Sequence, residues 1–202
     1  MDPSAISTPS PPDPMLIATT LRTRLESPSE LASIVSLAGD ASNRRYFRLY
    51  LKSGLSTSLI LMQLASPEGF RASEEAVSGA TADITELPFL NVLRFLAKAG
   101  ISVPKLHYFD DVAGLLYLED FGDTTLFHAC QEGGEQAVRQ WYPRAIDVLV
   151  QIHLRLKSKT SKRCIAFSRF FDMPLLMWEF EHFLELSLIH ISEPTRRYDI
   201  SY

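Results

Sequence analysis

The sequence predicts an α+β fold, in which a five-stranded antiparallel sheet with one helix is followed by a lobe made of helices. Three observations support this fold class. Short runs of strand-forming residues, separated by turn residues, fill much of the first 120 positions. One amphipathic helical segment interrupts these runs after the third of them. After the fifth run only helical patterns follow.

The first three strands are predicted to form an antiparallel meander. A short helix over residues 15–25 precedes them, and residues 29–32 are expected to add one further helical turn. The strands are expected at residues 34–38, 46–51 and 58–64, because each run is rich in strand-forming residues and ends at a cluster of turn formers.

The central helix and the last two strands have clear boundary signals. Pro88 suits the first position of a helix, Lys98 is its expected last residue, and Gly100 is a typical stop. Strands are expected at residues 106–109 and 115–118, with a hairpin turn between them.

Helical patterns occupy the rest of the chain, over residues 125–130, 136–156 and 170–184. The expected apolar face of the second helix contains Trp141, Ile146, Leu149, Val150, Ile152 and Leu154.

Composition narrows the classes of function. The 202 residues are 46% apolar and 22% charged, with a formal net charge of −4. A chain without a strongly basic surface is a poor candidate for binding nucleic acid. No run of about eighteen apolar residues exists, so no membrane span is expected. The two cysteines, Cys130 and Cys164, lack zinc-site spacing, and no signal peptide is apparent. A reducing, cytoplasmic location is therefore expected.

A cluster of small residues between the first two strands is a candidate phosphate-binding turn. Small side chains let backbone N–H groups approach phosphate oxygens, and arginines beside them supply positive charge. An ordinary hairpin turn followed by surface arginines is the alternative. The residues concerned are Gly39, Asp40, Ala41, Ser42, Asn43, Arg44 and Arg45.

A second block, Leu-Tyr-Leu-Glu-Asp-Phe-Gly-Asp over residues 116–123, ends the fifth strand, and Val-Pro-Lys at 103–105 precedes the fourth. With the turn and its arginines, these blocks resemble the aminoglycoside phosphotransferase/choline kinase-like superfamily. Within it they are most similar to bacterial kinases that phosphorylate the anomeric hydroxyl of N-acetylmuramate and N-acetylglucosamine. The resemblance covers about residues 31–185.

The resemblance implies a protein-kinase-like small lobe followed by the first helices of an incomplete helical C-lobe. It implies ATP as phosphoryl donor, Mg²⁺ as cofactor and a sugar or amino sugar as acceptor. Nucleotide contacts are implied at residues 39–45 and at Glu119, Asp120 and Phe121, where backbone atoms would meet the adenine. The alternative for the last three is a strand end with solvated carboxylates.

Two departures from the superfamily pattern affect the expected chemistry. The third strand carries Leu-Met-Gln-Leu at residues 61–64, without the lysine that contacts phosphates in protein kinases. Phosphate neutralisation is then left to Arg44, Arg45 or an unidentified group. The catalytic His-x-Asp-x-x-x-x-Asn loop and the later metal-binding Asp are absent, so no catalytic or metal-binding residue is assigned. We expect this chain alone to be inactive.

The last residues follow none of these patterns. Residues 186–196 resemble a translated sequencing-library adaptor, and Pro194 interrupts any helix there. The expected organisation is a disordered Pro-rich leader at 1–14, a kinase-like N-lobe at 15–122, the start of a truncated helical C-lobe at 123–185, and an adaptor-derived artefact at 186–202.

Two other functions remain open. A non-catalytic module that binds a nucleotide or a partner would show saturable ATP binding without turnover. An unrelated α+β scaffold would have no nucleotide site, and replacing Arg44 and Arg45 with alanine would not change its affinity for nucleotide.

Overall fold

The structure is a computed structural model that describes residues 11–38, 44–54, 56–64, 86–157, 161, 163–167, 172–173, 176–177 and 180. The candidate phosphate-binding turn at 39–43, the first ten residues of the expected leader and the adaptor-like tail lie outside these ranges. So does most of the predicted helix at 170–184.

The described residues contain one five-stranded antiparallel sheet, with strand order β1-β2-β3-β5-β4. The order confirms the predicted meander of the first three strands and the hairpin of the last two. The strands are β1 (Glu30–Ser36), β2 (Arg45–Ser53), β3 (Ser58–Gln63), β4 (Leu106–Asp110) and β5 (Leu115–Glu119).

Within the ranges that the structure describes, four helical segments with both ends defined accompany the sheet. They are α1 (Pro14–Thr23), α2 (Pro88–Lys98), α3 (Leu126–Leu156) and a 3-10 helix (Ile165–Phe167). Asp13 caps α1 by accepting a hydrogen bond from the Met15 N–H, and Thr125 caps α3 in the same way from His128. The two helices predicted at 125–130 and 136–156 are the arms of α3, which is interrupted at Gly134 with φ of 57°.

The helical turn predicted at residues 29–32 is wrong. Glu30 and Leu31 already pair with Ser53 and Leu51 of β2, and a register irregularity follows Leu31. Leu31 and Ile34 pack against the core beneath α1. Pairing with a neighbouring strand and burial of these side chains outweigh a weak local preference for helix.

Alternating side chains give the sheet two apolar faces. The first face is covered by α1, and its buried cluster comprises Ile17, Leu21, Phe47, Leu49, Leu59, Leu61, Leu115 and Tyr117. The second face is covered in part by α2, and its buried cluster comprises Met62, Leu64, Leu90, Leu116 and Leu118. We call these the α1 face and the α2 face.

Four contacts connect α2 and the loop after it to the residues from the end of α3 onward. The buried Asn91 side chain donates to the carbonyl of Arg163 (2.9 Å) and accepts from the N–H of Ile165 (2.9 Å). The rings of Phe95 and Phe167 meet edge to face, with centroids 5.3 Å apart. A guanidinium N–H of Arg155 donates to the carbonyl of Gly100. The sheet and the end of the helical region are therefore joined through α2 and the loop that follows it.

Among the helices that the structure describes, none combines the length and apolar character needed to span a membrane.

Candidate functional site

A cluster of charged and polar side chains lies where β5 ends. Arg48 of β2 binds the carboxylate of Asp120 in a bidentate ion pair, with Nε 2.7 Å from Oδ2 and Nη2 3.2 Å from Oδ1. These two side chains are nearly buried, at 10% and 5% exposure. A paired geometry of this kind satisfies both charges where a lone one would be costly.

Asp120 also shapes the backbone that follows β5. Its Oδ1 accepts a hydrogen bond from the Gly122 N–H (2.8 Å), and its Oδ2 accepts one from the Ser58 hydroxyl (2.7 Å). Gly122 has φ of 78°, which residues other than glycine adopt at a cost. The side chain and the glycine together define a tight turn over residues 120–122.

A second ion pair extends the cluster towards the start of α3. Arg48 Nη1 lies 2.8 Å from Asp123 Oδ2, and the Asp123 side chain is 80% exposed. The guanidinium therefore bridges a buried carboxylate and an exposed one.

The electrostatics of the cluster favour the charged forms. Burial by itself raises the pKa of Asp120, but hydrogen bonds from Ser58, Arg48 and the Gly122 N–H outweigh it and lower that pKa below 3.8. The hydrogen bond from Arg48 lowers the pKa of Asp123. Hydrogen bonds to Asp123 and Asp120 raise the pKa of Arg48. All three groups are ionised at neutral pH.

Phe121 is the exposed residue of this turn. Its side chain is 67% exposed, and among the described residues no hydrogen bond engages its main-chain N–H or carbonyl. On the α2 face of the sheet, Leu118 and Ile60 are cross-strand neighbours that present apolar side chains next to the turn. An unengaged main-chain donor and acceptor beside an apolar surface match the edge and face of a planar heterocycle.

Glu119, the residue before this turn, faces β4 instead. Its carboxylate accepts a hydrogen bond from the Lys105 N–H (3.0 Å), and its own N–H donates to the Lys105 carbonyl (2.9 Å). The structure thus places Glu119, Asp120 and Phe121 side by side but gives them three different environments.

Arg44 and Arg45 point to opposite faces of the sheet. Arg44 lines an apolar groove of about 390 Å³ with Pro88, Phe89 and other residues of α2 and of the segment before β4. The Arg45 guanidinium lies 5.2 Å from the centroid of the Phe47 ring, which belongs to the α1 face. Of the two, only Arg44 shares a face with Arg48.

The third strand has no cation at the position that faces α2. Met62 is fully buried there, in the cluster that contains Leu90 and Leu116. No group of three or more His, Cys, Asp or Glu side chains suited to a metal ion occurs within the part of the chain that the structure describes.

Sequence reasoning missed the side-chain roles of Arg48, Ser58, Asp120 and Asp123. Only the backbone of Asp120 was expected to contact the nucleotide, whereas its buried carboxylate is the centre of the cluster. One signal was available, because Arg48 is a charged residue in the middle of the strand-forming run at 46–51. A charge at such a position requires a partner.

The fold and this cluster define a protein-kinase-like small lobe followed by helices. Residues 33–179 match the Phosphotransferase enzyme family (APH), which is most of the chain. The chain therefore belongs to this phosphotransferase family, and the resemblance found in its sequence motifs is confirmed.

The chain is also similar to the N-acetylmuramate/N-acetylglucosamine kinase of Caulobacter vibrioides. The two are 35% identical over 130 residues, which is 58% of this chain and 34% of that protein. The chain thus spans about a third of the length of this curated relative.

Proposed function

We propose that the protein is the nucleotide-binding part of an ATP-dependent kinase that acts on a sugar or amino-sugar hydroxyl in the cytoplasm. The acceptor hydroxyl loses its proton to a base, its oxygen forms a bond to the γ-phosphorus, the bond from that phosphorus to the bridging oxygen breaks, and ADP leaves. Membership of the phosphotransferase family supports the reaction class. The name of the Caulobacter relative supports an N-acetylated amino sugar as acceptor.

The proposed nucleotide site rests on the Phe121 main chain, whose N–H and carbonyl have no hydrogen bond among the described residues. In this proposal its N–H and carbonyl hydrogen-bond the edge of adenine, while Leu118 and Ile60 contact the face of the base. Glu119 and Asp120 contribute the backbone that leads into the contact, rather than a catalytic carboxylate pair. Backbone recognition requires only that the turn at 120–122 keep its shape, which the Asp120 carboxylate ensures.

Arg44 is the better candidate of the two arginines for the phosphates. It follows directly after the candidate turn at Gly39, Asp40, Ala41, Ser42 and Asn43, and it lies on the α2 face with Arg48. Arg45 lies against Phe47 on the other side of the sheet.

Mg²⁺ would neutralise phosphate charge in such a reaction. The described residues do not gather carboxylates that fit this ion, since Arg48 already binds both Asp120 and Asp123. The proposal therefore assigns Mg²⁺ no ligand in this chain and no step.

Turnover by the 202-residue chain is not expected, because its sequence contains no His-x-Asp-x-x-x-x-Asn motif. The general base for the acceptor hydroxyl is not assigned to any residue of this chain.

Calorimetric titration of the full chain with ATP tests the proposal, with Arg44→Ala as the variant and Arg45→Ala as its matched control. We expect saturable binding that Arg44→Ala weakens about tenfold, the effect of losing a charge-assisted hydrogen bond, and that Arg45→Ala leaves unchanged. Absence of saturable ATP binding would contradict the proposed function. Release of ADP in the presence of N-acetylmuramate or N-acetylglucosamine would contradict only the expected inactivity.

A further inference from the structure

We propose that Arg48, Ser58 and Asp120 form a clamp that positions the Phe121 main chain for the base of the nucleotide. This inference rests on the proposed function and deepens it. We call these three residues the strand-end clamp. Arg48 is then a positioning residue that acts through Asp120 and does not touch the phosphates.

The Asp120 carboxylate is fully engaged in hydrogen bonds. Each of its oxygens accepts two hydrogen bonds: Oδ2 from Arg48 Nε and the Ser58 hydroxyl, both at 2.7 Å, and Oδ1 from Arg48 Nη2 at 3.2 Å and the Gly122 N–H at 2.8 Å. A carboxylate with four donors has one orientation. Its hydrogen bond from the Gly122 N–H therefore orients the peptide unit between Phe121 and Gly122, which contains the Phe121 carbonyl.

The clamp is anchored in the sheet. Arg48 lies opposite Ile60 of β3, and Ile60 lies opposite Leu118 of β5. Ser58 begins β3, two residues before Ile60. The clamp thus connects the turn after β5 to β3, which pairs with β5, and to β2, the next strand across the sheet.

Position 48 lies on an apolar part of the sheet, which is an unusual place for an arginine. Arg48 is only 8% exposed and shares the α2 face with Ile60 and Leu118, where an aliphatic side chain would pack without desolvating a charge. A buried ion pair is weak support for stability by itself, and its best-attested use is to specify one geometry. The geometry that Arg48 specifies is that of the turn at 120–122.

The ion pair between Arg48 and the exposed Asp123 contributes less to this arrangement. The Asp123 carboxylate is 80% exposed and contacts the guanidinium through one nitrogen. Ion pairs with an exposed partner contribute little. Removing the Asp123 charge should therefore disturb the turn much less than changing Arg48.

The experiment separates base binding from phosphate binding. The full chain is titrated with adenosine and, separately, with inorganic tripolyphosphate, and both are followed by amide chemical shifts in NMR spectra. The variants are Arg48→Lys, which keeps the charge but loses the two-pronged geometry, the milder Ser58→Ala, and Asp123→Asn. Arg139→Ala, an exposed change on α3, is the control, and thermal unfolding shows that each variant folds.

We expect Arg48→Lys to weaken adenosine binding about tenfold and Ser58→Ala about threefold, with tripolyphosphate affinity unchanged in both. Asp123→Asn should change adenosine affinity less than about twofold, and Arg139→Ala should match the parent chain.

Three results would overturn the inference. If folded Arg48→Lys and Ser58→Ala bind adenosine like the parent chain, the clamp does not position the base, although the proposed function stands. If the variants weaken the binding of adenosine and of tripolyphosphate equally, the clamp has only a structural role. If the parent chain binds neither probe, the proposed function fails and the inference fails with it.

Discussion

The sheet buries or half-buries most of its apolar side chains, whereas the long helix α3 exposes most of its own. Four of the five residues of β5 are buried, and Leu115, Leu116 and Tyr117 are 2% exposed or less. In α3, by contrast, Ala137 is the one buried residue of the element, and Leu149 and Leu154 are 54% and 68% exposed.

The difference comes from what covers each element. The sheet has α1 on one face and α2 on part of the other, so its strands bury side chains in both directions. The second arm of α3 carries Val148, Leu149 and Val150 in succession, which places apolar groups on several sides. Such a pattern is typical of a helix surrounded by other elements. We therefore expect the sheet to contribute most of the folding free energy and α3 to carry the exposed apolar surface.

The largest expected effect separates the two regions directly. Leu61→Ala in the sheet core should lower the free energy of unfolding by about 2–5 kcal/mol, because Leu61 is fully buried and the change leaves a cavity. Leu149→Ala on α3 is the matched control and should cost less than about 1 kcal/mol. Urea unfolding followed by circular dichroism measures both. Equal losses would show that α3 is as well packed as the sheet.

A smaller effect is expected at the junction between the regions. Asn91→Leu keeps the side-chain size but removes the hydrogen bonds to Glu86, Arg163 and Ile165. A cost of about 1–3 kcal/mol follows from losing buried polar partners.

Limited proteolysis should then show faster cleavage around residues 163–167, since Asn91 connects that segment to α2. Arg94→Ala, an exposed change on the same helix, serves as the control. A cleavage rate equal to that of the parent chain would contradict the assigned role of Asn91.

The dependence of stability on acidic pH tests the contribution of Asp120, at the end of β5. Because the pKa of Asp120 is lower in the folded chain than its ordinary 3.8, the ionised group stabilises the fold above that value. This contribution disappears as the pH falls through the lower, folded pKa. Asp120→Asn should therefore be less stable than the parent chain at neutral pH, and the difference should shrink below about pH 4.

Thermal unfolding across that pH range tests this expectation. Asp111→Asn, an exposed change in the β4–β5 turn and outside the clamp, is the control. A stability difference for Asp120→Asn that stays constant with pH would mean that its ionisation is not coupled to folding.

The smallest change in unfolding free energy is expected on α3 itself. Replacing Leu149 and Leu154 with glutamine should alter that free energy by about 0.5 kcal/mol or less, because both side chains are already solvated. The same change should reduce binding of a hydrophobic dye and self-association in sedimentation experiments, since it removes exposed apolar surface. Unchanged dye binding would locate the apolar surface elsewhere.

Local signals predicted the elements whose ends depend on local chemistry. Pro88 and Lys98 bound α2 as expected, and the β4–β5 hairpin follows from its turn residues. The pattern of strand formers also gave β2 and β3 to within two residues.

Elements that depend on distant partners were less predictable. Whether residues 29–32 are extended is decided by pairing with β2, which lies about twenty residues away. Arg48 meets Asp120 across 72 positions, a partnership that no local pattern contains. Likewise, Arg44 and Arg45 are adjacent in sequence but lie on opposite faces of the sheet, because successive side chains along an extended segment alternate between the two faces.

We propose that the turn at 120–122 meets the base of a nucleotide. Hydrogen–deuterium exchange of the full chain, with and without ATP, tests it most directly. We expect slower exchange in peptides that contain Phe121 and Gly122, with no change in the second arm of α3. Slower exchange confined to α3, or none anywhere at saturating ATP, would contradict it.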